Sequence, residues 1–512
     1  MPDTNLYARL AQRFPANPEM AIFAHLEDGR TYSYAHVEHV SARMATALVS
    51  LGVQPGDRVA VQVDKSIEAF MLYLATLRAG GVFLPLNTAY TPAEIEYFLT
   101  DAEPRLFVCR PESAEALAPV AAKAGATLET LGIYHPDRDV ADAGSFLAKV
   151  PDDAQFITVP RAPDDLAAIL YTSGTTGRSK GAMTTHENVG SNALTLCDYW
   201  KFTKDDVLLH ALPIFHVHGL FTSSNTILAA GASMIWLHRF DADKMIAHMP
   251  QATTMMGVPT FYTRLLDHPE FTADLTRQMR LFVSGSAPML VETHERFQQV
   301  TGQTVLERYG MTETQMNTSN PYDGGRIPGT VGVPLPGVEV QITDPDTGAT
   351  LATGDVGMIE VRGPNVFKGY WRMPEKTAEE LRNNGFFITG DLGQIDEDGY
   401  VSIVGRSKDL IISGGYNVYP KEVEEAIDLL PGVSESAVIG VPHRDFGEAV
   451  VAVVVPERGS APTDDAIMAG LSDLARFKQP KRVLFTDALP RNTMGKVQKK
   501  ALRDEHTGLF TG

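Results

Sequence analysis

The segment Thr172-Ser173-Gly174-Thr175-Thr176-Gly177-Arg178-Ser179-Lys180-Gly181 gathers glycines, hydroxyl side chains and two cations into one short stretch. Glycine lets a backbone turn sharply and approach an anion closely. Hydroxyl and amide groups donate to phosphate oxygens, and Arg178 and Lys180 offset their charge. No lysine-serine or lysine-threonine pair follows a glycine at the Walker spacing, so this is a phosphate loop of another kind. Far along the chain, Lys496 follows Gly495 in a basic stretch. Between Phe477 and Lys500 stand seven cations (Lys478, Lys481, Arg482, Arg491, Lys496, Lys499, Lys500) and one acid, Asp487. In a chain of net charge −19 such a face suits phosphates. Glu313 and Asp391 add two carboxylates, each of which on residue type alone fits a helix cap or a turn as readily as a ligand.

Such residues need a frame. The loop follows the apolar run 166–171, which predicts a buried strand. It precedes another apolar run, 181–183, and a capped helix opening near His186. Upstream, the pattern predicts a strand at 59–63, an apolar helix at 67–78 ended by Gly80-Gly81, and a strand at 82–86. A helix capped by Thr91-Pro92 and a strand at 106–109 follow. A second round runs to about Tyr309, with strands near 208–209, 233–236 and 281–283. This alternation predicts parallel sheets covered by helices. After Pro321, short strands separated by turns, such as 338–343, suggest a small β-barrel-like subdomain. From Lys408, βα units return, with a helix from Pro420 and strands at 437–439 and 450–455. The domain boundary is placed between 405 and 406, giving units 1–405 and 406–512.

Bulk properties narrow the setting. A chain of 512 residues can bury large cores and should hold more than one domain. With 44 Lys+Arg against 63 Asp+Glu, neither nucleic acid nor an anionic membrane is expected as a partner. The two cysteines, Cys109 and Cys197, give neither a disulfide framework nor a metal cluster. Residues 1–14 read as an amphipathic helix without the apolar core of a signal peptide. The greasy segment 69–86 carries Arg78 and Gly80-Gly81, so it is not expected to span a bilayer. These features predict a soluble, cytoplasmic protein.

TSGTTGRSKG resembles the nucleotide loop of the adenylate-forming superfamily, which includes acyl-CoA synthetases, adenylation domains of peptide synthetases and luciferases. Further motifs follow in that family's order: Phe215-His216-Val217-His218-Gly219, Glu307-Arg308-Tyr309-Gly310-Met311-Thr312-Glu313-Thr314 and Thr389-Gly390-Asp391. Then come Gly405-Arg406-Ser407-Lys408-Asp409, Ser413-Gly414-Gly415-Tyr416-Asn417 and Pro490-Arg491-Asn492-Thr493-Met494-Gly495-Lys496. The resemblance implies an α/β fold, with a large N-terminal domain of two βα-layered sheets plus a small β-barrel subdomain, and a small mobile α+β C-terminal domain. It implies ATP, Mg²⁺ and coenzyme A. Thr172, Ser173, Gly174, Thr175, Thr176, Gly177 and Lys180 would cradle ATP. Tyr309 and Thr312 would contact the adenine face and the phosphate, and Asp391 and Arg406 the ribose. Glu313 would hold the metal. Lys496 would bridge carboxylate and α-phosphate, with His216 and Thr312 beside the reacting groups. Lys408 would be the hinge, and Ser413, Gly414, Gly415 and Tyr416 would line a pantetheine tunnel. Lys496 also becomes a candidate target for a protein acyltransferase.

The resemblance also suggests an acid. His218, Arg264 and Ser286 depart from the mostly apolar acyl pocket of aromatic and fatty-acid relatives, with Met311 nearby. An arginine, a histidine and a hydroxyl on one pocket could hold a second carboxylate. This pattern is similar to that of malonyl-CoA synthetases and implies malonate, with methylmalonate tolerated. Three alternatives remain open at this point: a ligase for another short acid with Arg264 turned away, an adenylating enzyme that loads a carrier protein, and a non-catalytic nucleotide-binding regulator.

Overall fold

Apolar strands alternating with capped helices build two large sheets around one helix. The computed structural model describes residues 4–134, 143–172, 179–414, 416–472, 474–492 and 495–510. Among these, one sheet of seven strands runs in the order Gly369–Tyr370, Lys180–Thr185, Leu166–Thr172, Val82–Pro85, Arg58–Gln62, Leu106–Cys109, Thr127–Thr130. Its pairs from Leu166–Thr172 onward are parallel, whereas Lys180–Thr185 and Gly369–Tyr370 close the edge antiparallel. A second sheet of nine strands carries Val207–His210, Ser233–Trp236, Thr254–Gly257, Leu281–Ser284 and Leu306–Met311 in parallel, and Gln315–Ser319 antiparallel at one side.

The helix Ile67–Arg78, capped by the Ser66 side chain, is buried on every face. It lies between the sheets, which explains its unbroken apolar sequence. Phe70 stacks on Phe23 at 5.8 Å and meets Trp236 at 5.7 Å, both on the nine-stranded sheet, while Tyr73 meets Phe83 of the other at 5.1 Å. The expected N-terminal helix is confined to Leu6–Ala11, started by the Asn5 side chain.

After Pro321 the small β subdomain takes the form of a four-stranded antiparallel sheet, Glu339–Thr343, Gly357–Arg362, Phe387–Ile395 and Val401–Arg406. Beyond it, a five-stranded sheet is built on the antiparallel pair Val433–His443 and Gly447–Pro456. The helix Pro420–Asp428 buries Val423 and Ile427 against that sheet, as its sequence period predicts. The apolar clusters of this last unit are separate from the large core. Among the described residues, no helix is long and apolar enough to cross a membrane.

Candidate active site

The phosphate-loop stem lies at the edge of the seven-stranded sheet. Thr172 and Lys180 face each other as the last register pair of the antiparallel hairpin, so the loop between them is pinned at both ends. Ser173, Gly174, Thr175, Thr176 and Gly177 lie outside the described residues. The Thr172 hydroxyl stands 3.5 Å from Glu313 Oε1, and the Tyr370 hydroxyl 3.1 Å from the same oxygen. Glu313 occupies the turn between Leu306–Met311 and Gln315–Ser319; no helix follows it to be capped. The turn is tight. A Cβ on Gly310 would stand 1.9 Å from the Gln315 carbonyl oxygen, and Gln315 itself has φ +52°. Burial raises the Glu313 pKa above the ordinary carboxylate value, offset in part by Lys180 and Tyr370. A buried carboxylate flanked by hydroxyls is a hard oxygen site that fits Mg²⁺ held partly by nucleotide phosphates.

Asp391 and Arg406 are register partners on adjacent antiparallel strands, which places Arg406 Nε 3.0 Å from Asp391 Oδ1. Tyr309, on the last parallel strand of the large sheet, donates its hydroxyl to Asp391 Oδ2 at 2.6 Å. Three residues far apart in sequence thus meet on one carboxylate. The Arg406 pKa is raised chiefly by Asp391, and that of Tyr309 by burial and then by Asp391.

A third cluster surrounds the π-helix His218–Asn225, a rare element that tends to mark functional sites. His218 Nδ1 lies 3.1 Å from the Ser286 hydroxyl, and its Nε2 is buried without a partner among the described residues. Ser286 has φ +72°, a conformation that costs a non-glycine residue of order 1 kcal/mol or more. Burial and the Arg308 cation push the His218 pKa well below its ordinary value. Arg308 is itself buried, with Nε and Nη2 unpartnered among the described residues, and burial pulls its pKa down to about 9. Gly285 is required beside it, since a Cβ there would stand 2.5 Å from the guanidinium. His216 Nε2 is likewise unpartnered, and burial with the Lys496 charge lowers its pKa to about 4. His216 shares a pocket with Asn87, Tyr90, Tyr171 and Thr312.

The Lys496 side chain is exposed, yet the surrounding protein partly desolvates its ammonium. That desolvation and the nearby Arg406 lower its pKa to about 8, against the pull of Asp391 and Glu313. The lysine therefore stands among the phosphate-side, ribose-side and histidine-side groups together.

Arg264 is not joined to His218 and Ser286. Its side chain is exposed on the last turn of the helix Pro259–Leu266, with the guanidinium 5.9 Å from the Phe240 ring centre. The cation beside the histidine is Arg308, which stands in a quoted motif next to Tyr309 but which sequence reasoning left without a role. Met311 is half-buried and packs toward the Phe367–Tyr370 cluster. Ser413 is buried and Gly414 donates its N–H to the Phe446 carbonyl. Tyr416 is 60% exposed and stacks on Phe477 at 4.7 Å; Gly415 lies outside the described residues. Lys408 lies in the short 3₁₀ turn Ser407–Asp409 that links the two C-terminal sheets.

The AMP-binding enzyme family pattern matches residues 8–371, and that of the AMP-binding enzyme C-terminal domain matches residues 422–496. A malonate–CoA ligase of Arabidopsis thaliana is 34% identical over 524 residues, covering 93% of this chain and 85% of that protein. A long-chain-fatty-acid–CoA ligase of Bacillus subtilis is 34% identical over 538 residues, covering 97% and 93%. The fold is similar to that of ATP-bound MatB from Rhodopseudomonas palustris, with a TM-score of 0.96, 58% identity and coverage of 99% of this chain and 100% of that one.

Proposed function

Because the chain belongs to the AMP-binding enzyme family, we propose that it joins malonate to coenzyme A through an acyl-adenylate, using ATP and releasing AMP and pyrophosphate. ATP and CoA are the substrates of AMP-binding CoA ligases. The observation that carries the choice of acid is Arg308, a buried guanidinium with two unpartnered nitrogens beside the His218–Ser286 pair. A dicarboxylate could present one carboxylate to that cation and the other to Lys496. A monocarboxylate would leave the guanidinium buried and unpaired, at a cost of several kcal/mol in general.

A carboxylate is a poor electrophile, because its charge repels nucleophiles and oxide leaves badly. In our reading, one malonate carboxylate oxygen attacks the α-phosphorus of ATP, the bond to the β-phosphate bridging oxygen breaks, and pyrophosphate leaves. Lys496, charged below about pH 8, offsets charge that develops on the α-phosphate. Neutral His216 lines the reacting carboxylate without adding a competing charge. Asp391, supported by Tyr309 and Arg406, would accept from the ribose hydroxyls. Glu313, with the Thr172 hydroxyl close by, would hold Mg²⁺, which when bound offsets the triphosphate charge. The CoA thiol then attacks the acyl carbonyl carbon, the carbon–oxygen bond to AMP breaks, and malonyl-CoA forms. The pantetheine arm would pass Ser413, Gly414, Gly415 and Tyr416. We place the domain boundary at 405/406 and the hinge at Lys408. Rotation there would withdraw Lys496 between half-reactions, and acylation of the exposed Lys496 by a partner enzyme would remove the charge it offers the α-phosphate.

The test is acid-dependent AMP formation with CoA present, comparing malonate, methylmalonate, acetate, butyrate and 4-coumarate. Malonate should lead by orders of magnitude. If acetate or butyrate leads, the dicarboxylate reading fails and only the ligase class stands.

A further inference from the structure

Lys180 does not hang free at the end of its loop. Its ammonium donates to both Glu380 carboxylate oxygens at 3.1 Å and to the Tyr370 hydroxyl at 3.0 Å, and lies 4.1 Å from the centre of the Tyr370 ring. The same hydroxyl is 2.5 Å from Glu380 Oε2 and 3.1 Å from Glu313 Oε1. One phenol oxygen therefore accepts from the lysine at the loop exit and turns its single proton toward two carboxylates, one of them the candidate metal ligand.

The parts of this junction come from four places. Lys180 opens the strand Lys180–Thr185, and Tyr370 lies on the edge strand beside it, in register with Ala182. Glu380 ends the helix Pro374–Glu380, and Glu313 sits in the hairpin turn. The helix is fastened to the edge strand by a bond from the Tyr370 N–H to the Thr377 hydroxyl at 2.9 Å. Lys376 adds a second cation, 3.0 Å from Glu380, so the carboxylate is charge-balanced without drawing Lys180 out of place.

We propose that Tyr370 and Glu380 are positioning residues of the nucleotide site, which fix the spacing between Lys180 and Glu313 before ATP arrives. The inference rests on the ligase reading only in taking Lys180 and Glu313 as nucleotide-side groups. Neither Tyr370 nor Glu380 needs to touch ATP. Preorganised donors and ligands need no rearrangement when the substrate arrives, and that is where their energetic advantage lies.

Tyr370→Phe keeps the ring under the ammonium and removes the hydroxyl. Glu380→Gln keeps the shape and removes the charge. ATP binding would be measured by titration calorimetry with MgCl₂ present and malonate and CoA absent, beside steady-state KM for ATP and for malonate. Each variant should weaken ATP binding and raise KM for ATP about tenfold, with KM for malonate and the melting temperature unchanged. Combined with Lys180→Met, Glu380→Gln should add little further loss, because it acts through that same ammonium. Unchanged ATP binding in both variants overturns the inference, as does an equal rise in both KM values with a lowered melting temperature. If the wild type makes no AMP from malonate, the acid assignment fails, while the calorimetric result still decides the roles of Tyr370 and Glu380.

Discussion

The His218 imidazole and the Ser286 hydroxyl meet at 3.1 Å, and the serine reaches this position from a left-handed backbone. Strain of this sort persists where the surroundings dictate it. Beside the serine, Gly285 packs against the Arg308 guanidinium, where a Cβ would stand 2.5 Å away. Burial and the Arg308 cation keep the histidine neutral, with Nδ1 beside the serine hydroxyl and Nε2 without a partner among the described residues.

Arg308→Met should lower kcat/KM for malonate by roughly a hundredfold, about 2.7 kcal/mol, while acetate or butyrate changes far less. Arg264→Ala, on the exposed helix turn, should change the malonate preference less than threefold. Kinetics of both variants across the acid panel decide between the two arginines; loss of malonate preference in Arg264→Ala alone would reverse the assignment.

Lys496 loses its charge above about pH 8 in the free enzyme, because crowding and Arg406 lower its pKa. If the charged form is required, kcat/KM should fall as pH rises through that value. His216, held near 4, contributes no limb between pH 5 and 8. Arg406→Met should move the alkaline limb upward. A profile flat to pH 10 would refute the role given to the lysine.

Glu307 is buried with Oε1 unpartnered among the described residues, and burial pushes its pKa up to about 7 from 4.5. Below pH 4.5 it is protonated in both folded and unfolded chains. Between 4.5 and 7 the unfolded chain releases the proton first, so this group destabilises the fold increasingly, by about 3 kcal/mol at the top of the window. Glu307→Gln should therefore raise the melting temperature at pH 8 and do so much less at pH 5. Thermal melts at the two values check the sign.

Tyr309→Phe leaves Asp391 with Arg406 as its remaining named partner. KM for ATP should rise about fivefold to tenfold, with KM for malonate steady, as expected when one hydrogen bond to a charged group is lost. Equal KM values for ATP in variant and wild type would remove Tyr309 from the nucleotide site.

Much of the frame was readable because its signals are local. Ser66 caps Ile67–Arg78, Thr91 caps Pro92–Ala102, and the run 166–171 became Leu166–Thr172. The resemblance put Asp391 and Arg406 together at the ribose, whereas the bond from Tyr309, assigned to the adenine face, to the same carboxylate appears only in the fold. Arg264 and Arg308 show the limit. Both are arginines near a suitable motif, and only packing tells which is swallowed by the core. Glu380 carried no signal at all, since it lies 200 positions from Lys180 in an ordinary acidic helix. An ion pair between distant segments is written in the topology, not in either neighbourhood.

The unpaired guanidinium of Arg308 also bears on how tightly this protein holds itself together. A guanidinium buried with Nε and Nη2 lacking partners among the described residues carries a desolvation cost that the rest of the fold must offset. Replacing that arginine with a neutral side chain should toughen the resting protein to heat even as it disables it. Malonate bound against that guanidinium should raise the melting temperature of the unmutated protein as well. On the proposed reading, affinity for the acid and resistance to heat are set against each other at this one residue.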